Sequence, residues 1–408
     1  MLKVQELIKN NKDWRVVLSN APYHLVISEK EMYGRNLVCL KYNQIESDFS
    51  NEIVRECRGL ILDSDTADIV CYPFYKFFNY GEENQAEIDW NTAFVSSKKD
   101  GSIIKVVRIG DDFLISANGM IDAFECSLGG EVGCPFDNFG DLFMEGMRHY
   151  GLTKDDFPRL FKEGYTYMFE LTSPYNQVVV QWNETKVWLI GIRDNRTLKE
   201  IKFTEHELSK VFDTPEIYQL KSVEDCIAAA KVLPDDEEGY VVCDANFNRI
   251  KIKSPRYVQL HYMAGNQIWS ASRVIDIIRD NEVSEYVTYF PRFKVAFDEI
   301  KAKYDAYVRE LREVKNAIDQ LLESNNGSMQ KKDFAKWVFA NNDIRPHSGF
   351  AFSYFDSVYL KVKKDDSLVC SVEKYIDKIP TSKLVDILGL STTHDTKDVV
   401  ACSGCEAP

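Results

Sequence analysis

The chain reads as an α+β protein: an antiparallel, β-rich first part followed by a mainly helical second part. Three observations predict this. From Tyr23 to about Phe78, short apolar runs alternate with polar turns, the signature of strands. Val106–Ile109, Gly110-Asp111-Asp112 and Phe113–Ile115 form a strand, a tight turn and a returning strand. After about Tyr262 the period changes: Phe297, Ile300, Tyr304, Tyr307, Leu311, Val314, Ile318 and Leu321 recur at helical spacing.

In chain order, Val4–Ile8 predicts a short helix, and Leu25–Ile27 and Leu37–Leu40 predict strands. The apolar run ending in Lys98 precedes the hairpin. Residues 141–163 read as helix. Tyr165–Leu171, Gln177–Gln181 and Val187–Arg193 read as three strands, and Val223–Val232 as helix. Tyr240–Cys243 and Arg249–Lys253 form a last strand pair around the turn-forming Asp244–Asn248. The long helix stops at Asn325-Asn326-Gly327-Ser328, and shorter helices run to about Leu390. Its apolar seam predicts packing against helices of the same domain. The expected division is 1–260, a helical domain over 261–395, and a tail over 396–408.

Composition sets bounds on function. With 408 residues, the chain has room for two or three cores. No apolar run approaches the ~20 residues that cross a bilayer, so the expectation is a cytoplasmic protein with no membrane partner. Ten cysteines without framework spacing fit reduced thiols. Cys402 and Cys405, with His394 upstream, make one C-x-x-C, which reads as tail thiols rather than a zinc site. A net charge of −14 excludes a non-specific coat for nucleic acid but permits a local basic cleft.

The chemistry gathers in the first part. Lys98-Lys99-Asp100-Gly101 sets a lysine before an acidic-glycine turn; on its own it reads as a solvated loop charge. Arg58-Gly59 offers a guanidinium suited to phosphate or ribose oxygens, or a surface ion pair. Lys76-Phe77-Phe78-Asn79 sets a cation beside two rings; Phe77 reads as core, leaving Phe78 as the candidate to stack on a purine. Strand alternation turns Tyr165, Tyr167, Phe169 and Leu171 to one face and Glu170 to the other, where it serves a ribose hydroxyl or a metal-bound water, or is an ordinary strand acid. Glu238-Gly239 opens a strand with room for close approach to the backbone. In Arg249–Lys253, Ile250 and Ile252 face one side and Arg249, Lys251 and Lys253 the other: a basic face for a phosphate, or a solvated one.

Taken as a set, Arg-Gly, Lys-x-Asp-Gly, Phe-Glu, Glu-Gly-Tyr-Val and Lys-Ile-Lys resemble the covalent nucleotidyltransferase superfamily of RNA ligases, DNA ligases and capping enzymes. Glu56-Cys57-Arg58-Gly59, Lys76-Phe77-Phe78-Asn79, and Glu238-Gly239-Tyr240-Val241 followed by Lys251-Ile252-Lys253-Ser254 and Tyr257 look most like the phage tRNA-repair RNA ligases of the T4 RNA ligase 1 family. The resemblance spans residues 56–257. It implies an N-terminal antiparallel-sheet nucleotidyltransferase domain and an ATP-dependent RNA ligase working through lysyl-AMP and RNA-adenylate. In that reading Lys98 is the nucleophile, and Lys251 and Lys253 act with it. Arg58, Lys76, Phe78, Gly101, Glu170, Glu238 and Tyr257 surround the nucleotide, and Glu170 and Glu238 serve Mg²⁺ or Mn²⁺. The implied partner is RNA with 5′-phosphate and 3′-hydroxyl ends, such as a cleaved tRNA, bound by a monomer. Asn118 departs from the pattern, which carries a basic residue there.

A lysine near its reference pKa of ~10.4 has no lone pair at neutral pH. A second cation ~4 Å away costs the charged form up to about 4 kcal/mol at an effective dielectric near 20. The expectation is that Lys251 or Lys253 supplies this push on Lys98. Two other readings stand beside this one: a DNA ligase or capping guanylyltransferase, which would carry a β-rich OB module where this chain turns helical, and a non-catalytic RNA-binding protein. The pairs Lys331-Lys332 and Lys363-Lys364 are candidates for RNA phosphate contacts.

Overall fold

Strand pairing across residues 25–253 builds three sheets, and their register decides which side chains meet. The structure is a computed structural model; it describes residues 1–44, 46–128, 134–234, 236–258, 271–280, 282–283, 286–287, 294–325, 329–361 and 371–390. The chain divides into two units, Met1–Gly265 and Asn266–Pro408.

In the first sheet, β1 (Leu25–Met32), β2 (Arg35–Tyr42), β3 (Arg58–Asp63) and β4 (Ile69–Cys71) pair in that order. Alternation gives it two apolar faces. Val38, Leu40, Leu60 and Leu62 pack on Val4, Ile8, Trp14 and Leu18 from the N-terminal helices Lys3–Asn10 and Trp14–Ser19. Leu37, Cys39 and Ile61 pack the other way, on Val107, Ile109 and Leu114.

Those last residues belong to the second sheet. After β4 the chain forms β5 (Phe78–Asn79), β6 (Phe94–Lys98), β7 (Ser102–Ile109), β8 (Asp112–Ala117), β9 (Tyr165–Thr172), β10 (Lys186–Asp194) and β11 (Glu200–Ile201), and the last five make up this sheet. Its order is β11-β10-β9-β7-β8. Tyr167, Phe169 and Leu171 meet Leu142, Phe143 and Met147 of the helix Phe139–Arg148 in its core. Asn138 caps that helix, its side chain accepting from the Asp141 N–H at 2.8 Å.

The third sheet adds β12 (Ile217–Tyr218), β13 (Gly239–Cys243) and β14 (Arg249–Lys253), in the order β12-β6-β13-β14-β5. Val95, Tyr240, Val242, Ile250 and Ile252 pack with Cys226 and Ala230 of the helix Val223–Ala230. The opposite face of this sheet is left for the cavity described below.

Two expectations fail in this unit. Helix over 141–163 breaks after Arg148, where Gly151 takes a positive φ of +69°, and only Phe157–Leu160 resumes it. Gln177–Gln181 is not a strand: the Val179 and Val180 N–H groups donate to the Asp100 carboxylate, at 2.9 and 2.7 Å, instead of to a ladder.

The second unit is helical throughout its described residues: Ala271–Arg279, Lys294–Ser324, Lys331–Ala340, Ser348–Lys361, Val372–Asp377 and Thr381–Ile387, with a 3₁₀ turn at Arg345–His347. Phe297, Ile300, Tyr304, Leu311, Val314 and Ile318 are buried along one seam. The long helix packs against Ala271–Arg279, Ser348–Lys361 and Val372–Asp377 of its own unit. Lys363, Lys364, His394, Cys402, Cys405 and the 396–408 tail lie outside the described residues, as does the expected boundary at 260. The described cysteines are free thiols, and no described helix is long and apolar enough to cross a membrane.

Candidate active site

Ladder register builds the site. In β6, β13 and β14, Lys98 faces Gly239, and Gly239 faces Lys253. The next rows are Ser96, Val241 and Lys251, then Phe94, Cys243 and Arg249. These rows form one wall of a cavity of about 620 Å³, whose lining also includes Arg58, Phe77, Gly101, Asn118 and Glu170. In a chain of net charge −14, that lining carries Lys41, Arg58, Lys98, Lys99, Arg249, Lys251 and Lys253 against the single acid Glu170. Such a concentration of cations suits a polyanionic ligand.

Gly239 makes the central row possible. Its φ of +144° is closed to other residues, and a Cβ there would stand 2.3 Å from the Ile252 carbonyl oxygen. Glu238, one residue earlier and 2% exposed, therefore comes between the two lysines. Lys98 Nζ donates to Glu238 Oε2 at 2.5 Å, and Lys253 Nζ stands 3.4 Å from Oε1. This differs from the expectation of a cation beside Lys98: its partner is a carboxylate, and Lys253 is paired with the same group. A single acid between the half-buried Lys98 and the buried Lys253 offsets a repulsion that both would otherwise feel.

Asp100 anchors the turn after Lys98. Besides Val179 and Val180, its carboxylate accepts from the Tyr257 hydroxyl at 2.8 Å, and its carbonyl accepts from Trp182 Nε1 at 2.7 Å. Gly101 is required for close approach, since a Cβ would stand 2.3 Å from the Leu171 carbonyl oxygen.

Glu170, in β9 opposite Ile103 of β7, is buried, and its carboxylate has no hydrogen-bond partner among the described residues. Burial pushes its pKa up to about 7; Glu238 and Asp100 add to the rise, while Lys98 and Arg58 oppose it. Among the described residues no group of three or more His, Cys, Asp or Glu converges on a metal site. Two buried acids beside a basic cavity nonetheless fit Mg²⁺ or Mn²⁺, ions that keep waters and take substrate phosphates rather than a closed protein cage.

Arg58, the first residue of β3, leaves Nε and Nη1 buried without partners. Its guanidinium lies 5.0 Å from the Phe77 ring centre. The carbonyl of Gly59 accepts from Lys105 Nζ at 2.9 Å, and Lys105 is fully buried. Buried donors with no acceptor are costly, and an anionic group in the cavity would satisfy them.

The sequence candidates thus divide. Lys98, Lys251, Lys253, Arg58, Gly101 and Glu170 line the cavity. Glu238 and Tyr257 stand behind the wall, holding Lys98 and Asp100. Lys76 and Phe78 are not part of the lining: Lys76 Nζ lies 5.1–5.2 Å from the rings of Tyr42, Phe49 and Phe78, next to the Arg58 side of the cavity. Phe77, expected as core, lines the cavity in place of Phe78. The pairing of β5 with β14 explains it, because Phe78 aligns with Ile250, on the core side, so Phe77 shares a side with Lys251. Lys41 and Lys105 were not singled out from sequence, where each reads as an ordinary strand lysine.

Comparison with known proteins adds to this geometry. Residues 56–257 match the model of a family described as RNA ligase. A protein of Autographa californica nuclear polyhedrosis virus, described as a bifunctional polynucleotide kinase/RNA ligase, is 28% identical over 311 residues, covering 72% of this chain and 42% of that protein. An RNA ligase of Rhodothermus phage RM378 is 25% identical over 291 residues, covering 57% of this chain and 65% of its own length. The chain thus spans about two-fifths to two-thirds of these relatives. Among solved structures, an archaeal ATP-dependent RNA ligase aligns over 74% of this chain and 79% of its own, at TM-score 0.42 and 13% identity. Naegleria gruberi RNA ligase aligns over 42% of this chain and 51% of its own, at TM-score 0.32 and 15% identity.

Proposed function

Through residues 56–257 the chain belongs to the RNA ligase family, and on that premise we propose that it is an ATP-dependent RNA ligase that joins 5′-phosphate to 3′-hydroxyl ends. The observation that carries this reading is Lys98 on the wall of a basic cavity, tied through Glu238 to Lys253.

In the first step the Lys98 amine attacks the α-phosphorus of ATP. A P–N bond forms, the bond to pyrophosphate breaks, and the amine proton leaves. The attack needs the lone pair, so as the nucleotide enters the ion pair to Glu238 opens and Lys98 gives up its ammonium proton to water. Lys253 and Lys251 stabilise charge growing on the α-phosphate. Arg58 supplies unpartnered donors to the nucleotide's oxygens, and Phe77 supplies an apolar face. A divalent cation held by Glu170 and Glu238 would offset the charge on the phosphates and the leaving group. In the second step an RNA 5′-phosphate oxygen takes the AMP and the P–N bond breaks. In the third a 3′-hydroxyl attacks that 5′-phosphate and AMP departs. The helical unit is assigned the choice of RNA, a cleaved tRNA being the proposed substrate. Its exposed Lys332 is a candidate for phosphate contact; the neighbouring Lys331 is paired with Asp356 at 2.6 Å.

Incubation with α-labelled ATP and Mg²⁺ tests this. The expected result is an acid-labile, alkali-stable protein adduct that Lys98→Ala abolishes, followed by sealing of nicked RNA in preference to DNA. Absence of an adduct, or labelling by GTP instead of ATP, refutes it.

A further inference from the structure

Lys41, near the end of β2, comes to the same cavity from the first sheet, beside Arg58, Asn118 and Gly119. Its side chain lies across Gly119: a Cβ there would stand 2.8 Å from Lys41 Cδ and 3.0 Å from Nζ. A side chain at 119 would push the lysine off this path. The ammonium makes no hydrogen bond or ion pair with any described residue.

Other cations share this corner. Burial alone would raise the pKa of the Tyr42 hydroxyl, yet Lys76, Arg58 and Lys41 together bring it below the ordinary tyrosine value. Beside the Lys41 ammonium, Arg58 adds two buried donors without acceptors. Asn118, on the same stretch of lining, is neutral.

We propose that Lys41 binds the terminal phosphates of ATP, the part that leaves as pyrophosphate when Lys98 attacks, and so supplies from β2 the cation that Asn118 lacks. The inference rests on the ligase reading. The reacting phosphorus must lie at Lys98 and Lys253 on the third sheet. A triphosphate reaching from there into a cavity of this size has its remaining charge to place, and the unpaired cations of the first sheet are complementary to it.

The test separates the reaction steps. In Lys41→Gln the apparent KM for ATP in Lys98 adenylylation should rise about ten- to a hundredfold, the range for one lost charge-assisted hydrogen bond. Sealing of pre-adenylated RNA by the same variant should match the wild type, which also shows that the fold is intact. Adding Asn118→Lys should bring KM back to within a few-fold of wild type. An unmoved KM overturns the assignment. So does an equal loss in sealing pre-adenylated RNA, because the cation would then serve an RNA phosphate. If the wild-type protein forms no adduct with ATP, the ligase reading itself falls and takes this one with it; a normal wild-type adduct with an unmoved Lys41→Gln removes only the role of Lys41.

Discussion

Lys98 Nζ and Glu238 Oε2 meet at 2.5 Å, and the second oxygen of that carboxylate faces Lys253. The triad follows from register, since Lys98 and Lys253 both pair with Gly239, from opposite edges of β13. Glu238→Gln keeps the volume and removes the charge, leaving two ammonium groups without their shared counterion. Lys98 is 22% exposed, so water screens part of the cost that a fully buried pair would carry. The expected destabilisation is about 1–3 kcal/mol, a drop in Tm of several degrees for a unit of this size. Adenylylation should fall about a hundredfold or more. A variant with normal Tm and normal adduct formation would show that Glu238 is a bystander.

Glu170 predicts a pH signature. Its carboxyl is raised from 4.5 to about 7 in the fold, chiefly by burial. Between those values the native state holds a proton that the unfolded chain has released. Stability therefore falls as pH climbs through that window, and the full penalty, of order 3 kcal/mol, stands above it. Glu170→Gln removes the charge that causes the penalty. The variant should melt several degrees above wild type at pH 8 and near it at pH 4.5, while losing adenylylation at any Mg²⁺ concentration. A Tm difference that is the same at both pH values would mean that Glu170 is not the titrating group.

How far the sequence could be read follows from the range of each interaction. Lys98 and Arg58 were legible from short local patterns, and the alternation of Arg249, Lys251 and Lys253 because strand parity is local. Glu238 was legible as an acid but not as the partner of Lys98, because that contact needs the register of β6 on β13. The exchange of Phe77 for Phe78 has the same cause: parity in β5 depends on a parallel pairing with the distant β14. Val178–Val180 has strand composition, but Asp100 takes its N–H groups. Lys41 carried no signal beyond its charge; the glycine that admits it is in another hairpin. In the second unit the helical period survived intact, since helices are specified by residues three and four apart.

Tyr257 and Asp100 separate structural support from nucleotide contact. The Tyr257 hydroxyl donates to Asp100 Oδ1 at 2.8 Å, while Oδ2 takes two backbone N–H groups. Tyr257→Phe removes one hydrogen bond to a charged acceptor and leaves the other two. It should cost about 1–2 kcal/mol and leave adenylylation within a few-fold of wild type. Asp100→Asn is harsher. The amide keeps one acceptor oxygen, so either the paired N–H groups of Val179 and Val180 or the Tyr257 hydroxyl must face an NH₂ donor. A buried donor left unsatisfied costs about 1–3 kcal/mol on top of the lost bonds, and the turn carrying Lys98 loses its anchor. Adenylylation should then fall by at least tenfold together with Tm. Thermal melts and single-turnover labelling with ATP on both variants check the order. If Tyr257→Phe abolished labelling at an unchanged Tm, the hydroxyl would be touching the nucleotide itself rather than steadying Asp100.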